Sequence, residues 1–430
     1  EGQWNESGTV EVGGLSGPEF VVDETGGNGE PGPTWLTGVG RTRRGVRFRA
    51  EAGHRYVVAS EAGLLRPRVV RPEASTLRSV ENEADYLLIG PGSFLAAAEP
   101  LLEKRASEGL LTKAVSLEEI ARVFGHGTAS GEAIRSFVSY AYHSWTKPSP
   151  RYVVLLGDAT YDPRRFAAST TLGSPMPALW GKTSYLWTAL DPVMGAVNGE
   201  DDVPDVAVGR IPATTVEEAE RLVGKLLAWE GSGQGIEGRA LLVADNPDAA
   251  GDFEGDVEDI RASYLGGRET EVLKVGQLGA STRPAIQAAL DGGLSLVSYV
   301  GHGGSAVWAS ENVWNSWDAP SLRAQSRQPL LLTMNCLNGY FVGTNFESLS
   351  ESLVKAEGRG AIAAMSPSGL SVDGPAHQYH RALVGELVSG RHERLGDAIL
   401  AAQGAYAETG LLPELMSIYH LFGDPATPIR

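Results

Sequence analysis

The chain holds one cysteine, Cys336, and it follows closely on a short apolar run over 329–334. A second run of the same kind, 294–300, leads into Gly301-His302-Gly303-Gly304. Runs this short, rich in Leu and Val and bounded by glycine or polar residues, suit strands buried on both faces of a parallel sheet. Two neighbouring parallel strands end at one sheet edge, where open α/β folds place their ligands. An imidazole and a thiol would then emerge side by side, as a thiol nucleophile and its base require. A free thiol, with a pKa of about 8.5, is only a few per cent thiolate at neutral pH, and an adjacent imidazole lifts that limit by taking the proton. Taken singly, a cysteine at a strand end is a small buried hydrophobe and a histidine between glycines is part of a turn. At equivalent ends of successive strands the two point to nucleophilic catalysis. Gly303 and Gly304 leave backbone N–H groups uncovered beside the histidine, placed to stabilise an oxyanion.

Such a pair needs a rigid scaffold, and the flanking sequence reads as one. From residue 85, apolar runs over 86–90, 111–115, 152–158 and 205–212 alternate with helical segments over 93–109, 117–123, 132–146 and 215–229. The last of these opens on Thr215 as N-cap, with Glu217 and Glu218 in its first turn, at the positive end of the helix dipole. The layout repeats from residue 240, with strands predicted over 240–245, 271–275, 294–300, 329–334 and 361–365 and helices over 252–265, 282–290, 348–357, 374–389 and 394–407. Alternation of this kind predicts a mainly parallel sheet covered on both faces. Residues 1–82 are different: glycine-rich, with alternating pieces over 8–12, 45–49 and 55–59 that predict strands and a Gly/Pro cluster over 26–33 that predicts a loop. Three regions are therefore expected: a β-rich one over 1–82, a first α/β part over 83–235 and a catalytic part over 236–430. The basic run from Arg41 to Arg49 reads as a solvated strand face or as a propeptide-like feature.

The formal net charge of −17 argues against a nucleic-acid-binding surface. A single cysteine leaves no intrachain disulfide, so the fold does not depend on an oxidising compartment. No apolar run approaches the roughly 20 residues that span a bilayer. The sequence opens without Met or a signal-like segment, which is the expectation for a processed chain. Asp158 and Asp162 suit loop bracing, and His126, His377 and His380 suit structural roles. The acidic stretch Glu200-Asp201-Asp202 with Asp205 offers oxygen ligands for a hard cation.

The two motifs, GGLSLVSYVGHG over 292–303 and NCLNGYF over 335–341, resemble those of the gingipain family of cysteine peptidases, in the caspase–haemoglobinase clan, and the resemblance extends over residues 83–430. It implies an α/β/α sandwich with mainly parallel sheets in two subdomains, preceded by the small β-rich region. It implies a cysteine endopeptidase that cleaves peptide bonds through a thioacyl-enzyme, with Cys336 as nucleophile, His302 as base and then acid, and the N–H groups of Gly303 and Cys336 as oxyanion donors. Matching the family pattern puts the acid that orients the imidazole at Asp245, where the family often has Glu. It puts the acid of the primary specificity pocket of arginine-cleaving members at Asp252, a residue that equally suits the cap of the helix it begins. The segment over 366–371 departs from the arginine-specific pattern, which has an aromatic lid residue there. The resemblance further implies protein or peptide substrates, a secreted or bacterial cell-surface location, structural calcium and no cofactor for the chemistry. Two other readings fit the same motifs: a sortase-like transpeptidase, and an inactive adhesin or scaffold.

Overall fold

The computed structural model describes residues 2–15, 18–25, 33–67, 69, 71–167 and 176–430; the loop predicted over 26–33 lies, but for Pro33, outside them. The chain divides into two units, Glu1–Glu73 and Ala74–Arg430, so residues 74–82 belong with the larger one. In the smaller unit Gly8–Gly13 pairs antiparallel with Gly45–Ala50, and Glu19–Asp23 with Arg55–Ser60. Along Gly45–Ala50 the side chains alternate: Val46, Phe48 and Ala50 are buried while Arg47 and Arg49 are exposed. The period of two puts Arg47 and Arg49, the end of the basic run, on the solvated face of a strand whose other face builds the small core.

The larger unit is built on one ten-stranded sheet. Its strands in chain order are β1 Tyr86–Gly90, β2 Thr112–Ser116, β3 Tyr152–Leu156, β4 Ala207–Ile211, β5 Ala240–Ala244, β6 Thr270–Lys274, β7 Leu296–Val300, β8 Leu330–Met334, β9 Ala363–Pro367 and β10 Tyr419–Phe422. They lie side by side as β6-β5-β7-β8-β9-β10-β4-β3-β1-β2. Central strands such as β3, β5, β7 and β8 are buried at every residue, whereas the edge strands β2 and β6 are only partly buried. This is why the central strands read as largely apolar runs and the edges do not. Leu242, Leu296 and Leu332 face one hydrophobic layer, and Leu241, Val243, Val297 and Leu331 face the other. The result is a three-layer α/β/α sandwich. Truncating one of these buried leucines to Ala would cost about 2–5 kcal/mol, since packing around the cavity relaxes only in part.

The direction of the strands decides what the sheet edges can hold. β10 runs antiparallel to β9 and parallel to β4, and all other neighbouring strands are parallel. The two predicted halves therefore join into one sheet through β10, with opposite strand directions. The carboxyl ends of β5, β7, β8 and β9 share one edge, and those of β1, β3 and β4 lie at the other. Asp158, just after β3, is thus far from His302 and Cys336; it accepts from the Ala159 N–H at 2.7 Å and pairs with buried Lys355 at 3.6 Å.

Candidate active site

β7 and β8 pair with Val300 opposite Met334, so His302 and Cys336, each two residues on, leave the same edge at the same level. On the other side Ala244 of β5 lies opposite Val300, which brings Asp245 to that edge as well. Two glycines let the loops close on one another. At Gly301, with φ 153°, an added Cβ would fall 2.2 Å from the Cβ of Asp245. At Gly303 it would fall 2.1 Å from Asn335 Nδ2 and 3.0 Å from the Cys336 carbonyl oxygen. The glycine-flanked histidine is therefore a packing requirement, and the two loops touch. Leu337, next to the thiol, has φ 61°, a left-handed conformation uncommon for a bulky residue. Hydrogen bonds from Leu337 N to Gly369 O, 3.1 Å, and from Tyr340 N to Leu337 O, 2.9 Å, hold it there.

The imidazole is half-exposed. Its Nε2 lies 2.9 Å from Asp248 Oδ2, and its ring stands edge-to-face on Phe253 at 5.3 Å. Asp248 is fixed in turn by the Ala250 N–H, 2.7 Å from its Oδ1, and these two hydrogen bonds hold its carboxyl below the ordinary aspartate range. A carboxylate can only accept, so Nε2 carries the proton and Nδ1 keeps its lone pair for a proton from elsewhere. Asp245 does not touch the ring. Its buried carboxylate accepts from the backbone N–H of His302 at 3.0 Å and of Asn246 at 2.9 Å. Abutting Gly301, the short side chain meets the main chain of His302 before it can reach the imidazole. The carboxylate that meets the ring is thus that of Asp248, three residues later, which the sequence reading did not single out.

Cys336 is half-buried. Its sulfur receives the Ser371 N–H at 3.4 Å and lies 3.6 Å from the Ser371 carbonyl oxygen, to which the thiol donates. Burial pushes the thiol pKa up, and the Ser371 N–H offsets part of that rise. The resting sulfur is therefore a neutral thiol on Ser371, in the 366–371 segment.

Asp252 caps α1 (Phe253–Tyr264) by accepting from Gly255 N at 3.0 Å. One turn on, Asp256 neighbours Asp373, the first residue of α3 (Asp373–Val388; α2 is Leu349–Lys355), and the two carboxyls repel one another's charge. Burial and the charge of Asp256 push Asp373 up to about 6. The Asp373 carboxyl lies against Gly251, where an added Cβ would be 2.3 Å from its Cγ. An acidic cluster of exposed Asp252 with half-buried Asp256 and Asp373 thus adjoins the turn that carries Asp248. His377 lies 3.0 Å from Asp259 Oδ2 and 3.3 Å from Asp256 Oδ1, while His380 is buried on Ser298 Oγ at 2.9 Å and pushed down to about 3 by burial.

In the stretch proposed for a hard cation, Asp205 Oδ2 accepts from Val197 N and Asn198 N at 2.9 and 2.8 Å, and Asp201 Oδ1 from Val203 N at 3.3 Å. Among the described residues no group of three or more His, Cys, Asp or Glu is arranged to hold a metal ion. Nor is any described helix long and apolar enough to cross a membrane.

The sequence profile of peptidase family C25 matches residues 79–430. Gingipain R2 of Porphyromonas gingivalis is 24% identical over 295 residues, 66% of this chain and 36% of that protein. An uncharacterized protein of Archaeoglobus fulgidus is 31% identical over 170 residues, 35% of this chain and 38% of that protein. The chain thus spans little more than a third of the length of these curated relatives. Among solved structures, the Arg-specific cysteine proteinase gingipain R superposes with a TM-score of 0.67 at 21% identity, over 81% of this chain and 78% of that one. A likeness at that identity shows the fold, which is of the caspase–haemoglobinase type.

Proposed function

Because this chain belongs to peptidase family C25, we propose that it is a cysteine endopeptidase working through a thioacyl-enzyme on Cys336. The observation that carries the reading is the convergence of the two loops: Cys336 and His302 leave adjacent parallel strands at one level, with Gly303 packed on the Cys336 backbone. The Sγ–H proton passes to His302 Nδ1 as sulfur attacks the scissile carbonyl carbon. The new charge on that oxygen falls to the N–H groups of Gly303 and Cys336. When the C–N bond breaks, the imidazolium gives its proton to the departing amine. Water, deprotonated by the same imidazole, then splits the thioester, releasing a carboxylic acid and restoring the thiol. Asp248 stabilises the imidazolium that exists between these steps.

Protein and peptide substrates follow from the family. A preference for basic side chains is supported by the carboxyls of Asp252, Asp256 and Asp373 beside the Asp248 turn, since clustered carboxyls attract a cation. The test is digestion of a mixed-sequence peptide library by the unmutated protein, Cys336→Ala and His302→Ala, with cut sites read by mass spectrometry. Cuts made only by the unmutated protein and clustered after Arg or Lys are expected. Cuts that survive Cys336→Ala would refute the mechanism, and cuts without basic preference would refute the pocket assignment. An added amine captured at the cut site in place of water would identify a transpeptidase.

A further inference from the structure

The motif Asn335-Cys336-Leu337-Asn338 holds a side chain that the mechanism does not use. Asn338 is wholly buried, and its carboxamide fills all four of its hydrogen-bonding positions. Nδ2 donates to the carbonyls of Gly304, 2.6 Å, and Val307, 3.1 Å, on the hairpin that follows His302. Oδ1 accepts from Trp308 Nε1 at 2.6 Å and from Asn335 Nδ2 at 2.7 Å. Trp308 stacks flat on Tyr299 with ring centroids 4.6 Å apart, and the Tyr299 hydroxyl donates to the His302 carbonyl at 2.6 Å. One buried amide therefore ties the thiol loop to the histidine loop both directly and through two stacked rings. Its orientation is fixed, because a flipped amide would set NH₂ against two donors and oxygen against two carbonyls.

We propose that Asn338 is a positioning residue that sets the reach from Cys336 to His302 and so the ease with which the thiol loses its proton. The proposal rests on the Cys–His reading above. A fully satisfied buried amide rigidifies what it joins, and a misplacement of about 1 Å between reacting groups costs on the order of 100-fold in rate. Asn338→Asp keeps the volume but turns both donors into oxygen facing the carbonyls of Gly304 and Val307.

The experiment measures three things on the full chain: kcat and KM on a peptide substrate, thermal melting, and the pH profile of iodoacetamide alkylation, which reports on Cys336 alone because the chain has no other cysteine. Asn338→Asp is expected to lower kcat by roughly 100-fold with KM within about threefold. Its alkylation midpoint should move up in pH toward that of His302→Ala. If Asn338→Asp does not fold, Trp308→Phe, which removes a single hydrogen bond from Oδ1, decides instead, with an expected loss of about tenfold in kcat and a smaller shift of the same sign. Identical profiles for the unmutated protein and His302→Ala would sink the Cys–His reading itself. If those two differ while the folded Asn338 or Trp308 variant keeps the unmutated kcat and profile, whatever its melting temperature, the positioning role is overturned.

Discussion

The division of labour between Asp245 and Asp248 can be broken by Asp245→Ala. That carboxylate is 2% exposed and accepts from the backbone N–H groups of His302 and Asn246. Truncation leaves two donors without their partner, at about 1–3 kcal/mol each for groups shut off from water. His302 is half-exposed, so water can reach part of the gap, and a total of about 3 kcal/mol is the reasonable sum. An unfolding entropy of about 2.1 cal/mol/K per residue gives the 74–430 unit roughly 0.75 kcal/mol/K, so melting should fall by about 4 °C. Turnover should drop only about tenfold, because the ring keeps Asp248 and the loop keeps its other ties. Asp248→Ala should separate from it in stability, not in turnover. Its carboxylate meets the ring near the surface, so melting should move by no more than about 1 °C, while kcat falls a few-fold to about tenfold. Scanning fluorimetry and steady-state kinetics on the two variants, run side by side, decide the matter. Should Asp245→Ala melt with the unmutated protein yet lose activity as completely as Cys336→Ala, Asp245 acts on the chemistry and the backbone-holding argument is wrong.

Two further outcomes follow from the structure. Below about pH 6 Asp373 keeps its proton beside Asp256, and above it the cluster gains its charge. KM for substrates with Arg or Lys at the cleaved position should therefore fall as pH rises through about 6, and Asp373→Asn should flatten that step; an unchanged step would remove Asp373 from the pocket. The stability term has the opposite sense, because a raised carboxyl pKa contributes stability in its protonated form and loses it as pH rises through the folded value. Near the end of the smaller unit the chain exposes Leu65 at 93% and Val69 at 91%, outside any helix or strand. Thermolysin, which cuts before such side chains, should nick there first and release the larger unit intact; first cuts inside 74–430, read by mass spectrometry, would show that the division is misplaced.

The strands were legible because they are buried on both faces: β3 and β5 carry unbroken apolar runs, and β7 and β8 are interrupted only by Ser298 and Thr333. The joining of the halves was not, because β10, Tyr419-His420-Leu421-Phe422, is too short to announce a strand, and its antiparallel pairing with β9 is a matter of tertiary closure. That one strand reverses the sheet's direction. It separates two Asp residues that look alike in sequence, each following an apolar run: Asp158 goes to the edge away from His302, and Asp245 to the edge beside it.

At the site, residue types and strand ends were enough to bring Cys336 and His302 to one edge, since β7 and β8 are adjacent and in register. They were not enough for the acid. A strand's last residue is fixed by the ladder, so Asp245 must lie against Gly301, and from there its carboxylate meets a backbone amide first. The residue that reaches the imidazole has to come from beyond the strand, on a loop that turns back over the ring. The sequence marks that turn only weakly, by Asn246-Pro247 before Asp248 and Gly251 after it. Asp248 is held in place by the amide of Ala250 within that turn. Catalytic geometry of this kind is set by loop closure rather than by sheet register, and aligning strand ends alone will select the acid that builds the loop over the acid that faces the ring.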